Sequence, residues 1–145
     1  MTGYLLDVNI LVALLWPAHE AHHAALKWFE RTGAKGWATC SVTQAGFVRI
    51  VSNPAFTRDA LSPQQAMELL QVNTKHPGHR FWKDEAGFLT VAAPFADRIV
   101  GHRQVTDAFL LGLALRHRAK VATLDRGMLG LVPEGMPERP LEIVS

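Results

Sequence analysis

The hydrophobic pattern opens with a short apolar run over residues 3–8, carrying Asp7 near its end, and every position from 10 to 16 is apolar. A strand followed at once by a helix accounts for both. Over residues 18–31, Ala21, Ala25, Leu26, Trp28 and Phe29 keep helical spacing, and Gly33 and Gly36 close the segment. Residues 37–41 predict a second strand, and the mostly apolar stretch 43–51 predicts a helix stopped at Asn53-Pro54. Residues 62–72 begin with Ser-Pro, a cap followed by proline in the first turn, and predict a further helix. Later come a short strand at 79–82, a helix at 93–100, and a long helix at 104–118 ending in Arg116, His117 and Arg118, whose charge suits a helix C-terminus. A β-prone run at 120–124 ends in Asp125, and a last strand at 141–144 follows a Pro- and Gly-rich segment. Strands alternating with helices predict an α/β fold around a mainly parallel sheet. No repeat or linker divides the chain, so residues 1–145 are read as one domain.

Composition narrows the class. Apolar residues make up 48% and charged residues 19%, enough to build a core and unlike a disordered chain. The longest apolar runs, 10–16 and 108–115, are seven and eight residues. A bilayer-spanning helix needs about 20, so no membrane role is expected. No Lys or Arg precedes Asp7, which itself interrupts the N-terminal apolar stretch, so a secretory signal is not expected either. Cys40 stands alone, in keeping with a reducing cytoplasm. The net charge, 15 Lys+Arg against 13 Asp+Glu, is only +2 and does not by itself indicate nucleic acid.

Two apolar strands end alike, in Leu5-Leu6-Asp7 and Thr123-Leu124-Asp125. Carboxyl ends of parallel strands share one edge, where α/β proteins bind ligands. Asp107, near the start of the helix leading into the second of these strands, is placed to reach the same edge. Taken singly, each acid has a plainer role, capping a helix or complementing its dipole. Together, three carboxylates repel one another unless a cation compensates. Mg²⁺ suits such a place, because it takes one or two carboxylates, keeps several waters and accepts phosphate oxygens.

Leu5-Leu6-Asp7-Val8-Asn9-Ile10-Leu11, Thr43-Gln44-Ala45-Gly46-Phe47-Val48-Arg49-Ile50, Val105-Thr106-Asp107-Ala108-Phe109-Leu110 and Ala122-Thr123-Leu124-Asp125-Arg126 stand in an order and spacing that resembles the PIN-domain ribonucleases, and among them the VapC toxins. Phe81-Trp82-Lys83-Asp84 and Gly101-His102-Arg103 are secondary landmarks. The resemblance implies an α/β/α sandwich, an Mg²⁺- or Mn²⁺-dependent endoribonuclease of structured RNA such as tRNA or rRNA, a homodimer, and silencing by a cognate antitoxin. It further implies that Asp7, Asp107 and Asp125 are the metal-site acids, with Asn9 and Thr106 supporting them by hydrogen bonds. Many members carry Glu where this chain has Gln44, an amide that offers an oxygen but no charge. Asp84, after a predicted strand, is a candidate replacement, against the at least equally strong reading of a solvated loop acid beside Glu85. The neutral Gln44 also leaves open a second class, a non-catalytic PIN-like module that binds RNA or protein.

His19-Glu20-Ala21-His22-His23 matches the H-E-x-x-H pattern of zinc proteases. A third zinc ligand is not evident, and Leu26 and Phe29 occupy the downstream positions that the longer form of that motif gives to Gly and His, so exposed polar residues are the expected reading. For RNA, the candidate phosphate contacts are Arg49, His102, Arg103 and Arg126, with Arg80 and Lys83 in addition. Such contacts position a backbone and carry little sequence information. Trp16, Trp28, Phe29 and Trp37 are expected in the core, or, where exposed, in an apolar groove for an antitoxin segment.

Overall fold

The computed structural model describes residues 3–145, leaving Met1 and Thr2 of the expected 1–145 domain outside the described residues. Strands β1 (Tyr4–Leu6), β2 (Trp37–Thr39), β3 (His79–Phe81), β4 (Lys120–Thr123) and β5 (Leu141–Ile143) pair in parallel in the order β3-β2-β1-β4-β5. Leu5 stands opposite Ala38 on one side and Val121 on the other. From β1 the chain builds outward to β2 and β3, then returns to place β4 on the other flank. The β1/β4 boundary is therefore the topological switch point, where open α/β sheets form their ligand crevice.

Side chains alternate across the strands, so consecutive leucines of β1 feed different cores. Leu5 packs with Val91, Phe95, Leu110, Val121, Met128 and Leu131, and Leu6 with Ile10, Leu11, Trp28, Phe47, Val51 and Ala122. The first face is covered by α5 (Phe88–Ala92) and α6 (Val105–Arg116), the second by α1 (Val8–Leu15), α2 (His22–Arg31), α3 (Ser41–Val51) and α4 (Pro63–Asn73). This is the expected three-layer sandwich.

Local chemistry sets most boundaries. Asp7 accepts the Val8 N–H at 2.7 Å and caps α1, which stops at Leu15 because Pro17 follows Trp16. Ser62 and Gln65 form a reciprocal capping box at the head of α4. The helix expected from residue 18 begins only at His22, the preceding residues forming turns. The helix expected at 93–100 is a 3-10 helix over Ala93–Arg98 that follows α5 directly. Pro94 lacks an N–H and crowds the carbonyl four residues back, so the α-helical ladder of α5 cannot run through it. α5 itself escaped the sequence reading because its apolar residues point both ways: Val91 is buried while Leu89 is 83% exposed.

α6 is apolar on nearly all sides and buried from Ala108 to Ala114, as its place between the sheet and α5 requires. The close approach depends on Gly112, where a Cβ would lie 1.8 Å from the Val91 carbonyl oxygen. The helix ends in a Schellman motif. Ala119 N–H donates to Ala114 O at 2.9 Å and Arg118 N–H to Leu115 O at 3.1 Å, with Arg118 in the left-handed region at φ 54°.

Candidate active site

Three segments meet at the switch point: the β1-to-α1 junction supplies Asp7, the β4 terminus supplies Thr123 and Asp125, and the first turn of α6 supplies Asp107. Asp7 is buried to 9% exposure. Its Oδ1 accepts the Val8 N–H, and its Oδ2 accepts the Thr123 hydroxyl at 2.8 Å and, at 3.4 Å, the Asn9 amide. The capping role and the site role fall on the same carboxylate, one oxygen facing the helix and the other the strand end. Burial pushes the Asp7 pKa up, the bonds from the Thr123 hydroxyl and the Val8 N–H pull it back, and the Asp125 charge raises it further.

Asp107 is half-buried, and its pKa is raised to about 6, first by burial and then by the charges of Asp7 and Asp125. Among the described residues no hydrogen-bond donor serves its carboxylate. Asp125 is exposed and caps the 3-10 helix Arg126–Leu131 by accepting the Gly127 N–H at 2.8 Å. A Cβ at residue 127 would stand 2.9 Å from that same Oδ1, so glycine keeps the cap open.

Asn9 ties the two strand ends together, donating to Thr123 Oγ1 at 3.0 Å and accepting the Leu124 N–H at 3.1 Å. Thr106 is exposed in the first turn of α6, and among the described residues it makes no hydrogen bond to the acids. Gln44 lies in the first turn and a half of α3, where its amide donates to Thr39 Oγ1 at 3.0 Å. That hydroxyl also meets His79 Nε2 at 2.7 Å, and burial lowers the His79 pKa. The Gln44 amide is thus anchored to the end of β2. Asp84 lies elsewhere, exposed in a cleft with Arg116 and His117 at the end of α6 remote from Asp107, so it supplies no replacement carboxylate and is the solvated loop acid of the alternative reading.

The phosphate-contact candidates divide by position. Arg49 is exposed on α3 beside a groove shared with α4. His102 and Arg103 are exposed in the 3-10 helix leading into α6, and Arg126 is exposed next to Asp125. Arg80 instead folds back onto the carbonyls of Pro77 and His79, and Lys83 lines the same remote cleft as Asp84. The H-E-x-x-H match is not a helical pair, because His19 precedes α2 and accepts the Ala21 N–H, while His23, the second histidine of the pattern, lies exposed inside α2. Trp28 and Trp37 are buried, Trp16 and Phe29 half-buried. Phe29 and Trp37 line an apolar cavity of about 440 Å³ with Leu11, Leu15 and Val72.

Among the described residues no three His, Cys, Asp or Glu side chains are grouped tightly enough to hold an ion unaided. The donor set nevertheless fits a hard cation that retains its waters, since such an ion needs only one or two carboxylates. A half-buried, donor-free Asp107 facing the field of two other acids is the feature that asks for one.

Fold and site together define the class: residues 4–131 match the family model described as PIN domain. Ribonuclease VapC38 of Mycobacterium tuberculosis (strain ATCC 25618 / H37Rv) is 42% identical over 141 residues, 97% of each chain. Ribonuclease VapC39 of the same strain is 39% identical over 134 residues, 92% of this chain and 96% of the relative. The chain therefore belongs to the PIN-domain family, and within it to the VapC ribonucleases. Among solved structures, VapBC2 from Rickettsia felis bound to a promoter DNA fragment shares the fold at TM-score 0.63 and 15% identity, covering 98% of both chains. A toxin-antitoxin complex from Klebsiella pneumoniae does so at TM-score 0.62 and 14% identity, covering 97% of this chain and 96% of that one.

Thr123 is the residue that sequence reasoning passed over. Its signal was present, a threonine two positions before the acid of Thr123-Leu124-Asp125, but a strand threonine gives no hint of which way its hydroxyl points until the register with β1 is known.

Proposed function

We propose that this chain is a divalent-metal-dependent endoribonuclease and the homodimeric toxin of a toxin-antitoxin pair. The observation that carries the reading is the meeting of Asp7, Asp107 and Asp125 at the switch point of the sheet, where the Asp125 charge raises the pKa of Asp7 and the charges of Asp7 and Asp125 raise that of Asp107, in a chain whose relatives over nearly its full length are named ribonucleases.

Asp7 and Asp107, with Asp125 at the rim, would hold Mg²⁺ or Mn²⁺, which when bound supplies charge neutralisation for the phosphodiester and acidifies a water for attack on phosphorus. Asp7 enters this role already oriented by Val8 N–H and Thr123, so little side-chain freedom is lost on binding. Asn9 fixes the neighbouring strand ends. Thr106, exposed beside Asp107, offers a hydroxyl to the site or to substrate. Arg49, His102, Arg103 and Arg126 take the RNA backbone, whose negative charge the acids alone would repel. With Gln44 neutral and engaged with Thr39, the site carries three carboxylate charges, which favours a single ion over two. Structured RNA such as tRNA or rRNA is the substrate class, and the apolar cavity between α1, α2 and α4 receives an antitoxin segment.

Purified protein should cleave RNA in Mg²⁺ or Mn²⁺, lose cleavage in EDTA, and lose more than about 100-fold in rate as Asp7→Asn, beyond the cost typical of outer-shell partners. Circular dichroism checks that the variant remains folded. Cleavage that persists in EDTA, or a fully active Asp7→Asn, overturns the reading. RNA retention without cleavage would instead mark a binding module. In cells, wild type should arrest growth and Asp107→Asn should not, with arrest relieved by the product of a short adjacent reading frame.

A further inference from the structure

Thr123 is completely buried at the end of β4, and its hydroxyl sits at the centre of four polar groups. It lies 2.8 Å from Asp7 Oδ2, 3.0 Å from the Asn9 amide nitrogen, 3.0 Å from the Asp125 backbone nitrogen and 3.4 Å from Asn9 Oδ1. A hydroxyl has one proton to give and two lone pairs to receive with. Two of these neighbours, the Asn9 amide and the Asp125 N–H, can only donate, so they occupy both lone pairs. The proton then has two possible acceptors. Asp7 Oδ2 is nearer and charged, whereas Asn9 Oδ1 is farther and already accepts the Leu124 N–H. The hydroxyl is fully committed, with no rotamer freedom left.

We infer that Thr123 is a positioning residue for the acidic site: its single hydroxyl orients the Asp7 carboxylate and, through the Asp125 backbone, fixes the distance between two acids that come from different strands. This rests on the ribonuclease reading above and deepens it. The hydrogen bond holds Asp7 Oδ2 from the strand side, while Val8 N–H holds Oδ1 from the helix side. Loss of the hydroxyl releases one end of that carboxylate, leaves the Asp125 N–H without its acceptor and leaves the Asn9 amide only its longer contact to Asp7 Oδ2. Outer-shell donors of this kind typically govern ligand orientation, and their loss costs about 10- to 100-fold in metal affinity.

Thr123→Val keeps the shape and removes the hydroxyl, and Thr123→Ser keeps the hydroxyl and removes a methyl. Titrating wild type and both variants with Mn²⁺ by calorimetry, alongside melting in EDTA, separates positioning from simple support of the fold. The expected result is Mn²⁺ affinity weakened about 10- to 100-fold in Thr123→Val and kept within about threefold of wild type in Thr123→Ser. Cleavage should fall in kcat at saturating Mn²⁺ with RNA KM unchanged, since the bases that bind RNA are untouched. Wild-type Mn²⁺ affinity in a folded Thr123→Val, or a lower melting temperature with affinity intact, overturns the inference. If Thr123→Val does not melt cooperatively, Thr123→Cys carries the test: its weaker donor should give intermediate affinity, and wild-type affinity refutes the role. A wild type that binds no Mn²⁺ sinks the metal reading itself and the inference with it, a result distinct from a normal wild type with an unaffected variant.

Discussion

Asp107 keeps its proton to a pH of about 6 because its carboxylate is half-buried, lacks a donor among the described residues and faces two other acids. In metal-free protein the folded state therefore binds this proton more tightly than the unfolded chain, whose ordinary value is 3.8. The stabilisation is complete below pH 3.8 and is lost as pH rises through about 6. Asp107→Asn should melt higher than wild type at pH 7 to 8 in EDTA. The gain is on the order of 1 kcal/mol once solvent screening at a half-exposed group is allowed for, or roughly 2–4 °C. Near pH 4 the two should converge. Melting curves across that range decide it, and a variant less stable than wild type at pH 8 would mean that the Asp107 charge is compensated by the protein itself. At this scale the sequence disclosed the acids and Asn9 but not Thr123. Gln44 was legible as a departure from the family, yet its hydrogen bond to Thr39 follows from the α3 start set by Cys40, which residue type alone does not reveal.

At the scale of elements, the weak points are where the chain turns from one regular piece to the next. Arg118 terminates α6 in a left-handed conformation, which costs a residue with a Cβ roughly 1–2 kcal/mol and glycine nothing. Arg118→Gly should stabilise the protein by up to about 1 kcal/mol after the extra unfolded-state entropy of glycine is subtracted, read as a rise in melting temperature. Arg118→Ala should not, because it keeps the strained φ. Equal melting of both variants would show that the arginine side chain, rather than the backbone, sets the stability of this corner. Strong local grammar, such as the Ser62-Pro63 start of α4, was readable in advance. The short α5 was not, since five residues carry too little period and its register is set by packing on Gly112.

The whole molecule has one sheet with a core on each face, and Leu5 and Leu6 show that the two cores share a backbone. Neither face can open without exposing the strands of the other, which predicts a single cooperative transition. Trp28 and Trp37 report on one face and Trp82 on the other, so tryptophan fluorescence and circular dichroism should trace the same unfolding curve. Leu5→Ala and Leu6→Ala should each cost about 2–5 kcal/mol and shift both signals together. Two separated transitions would show that the layers unfold independently. The sequence by itself determined the alternation of strands and helices, the parallel sheet this implies, and the family to which the acids belong, because periodicity, capping and motif order are local properties carried by neighbouring residues. Only the tertiary structure decided that β4 lies beside β1, and with it that Thr123 meets Asp7, that Asp107 loses its solvent, and that Asp84 stays away. Those outcomes depend on pairing between segments more than a hundred residues apart, whose register is chosen by which side chains fill the two cores and not by any residue's preference for its own conformation.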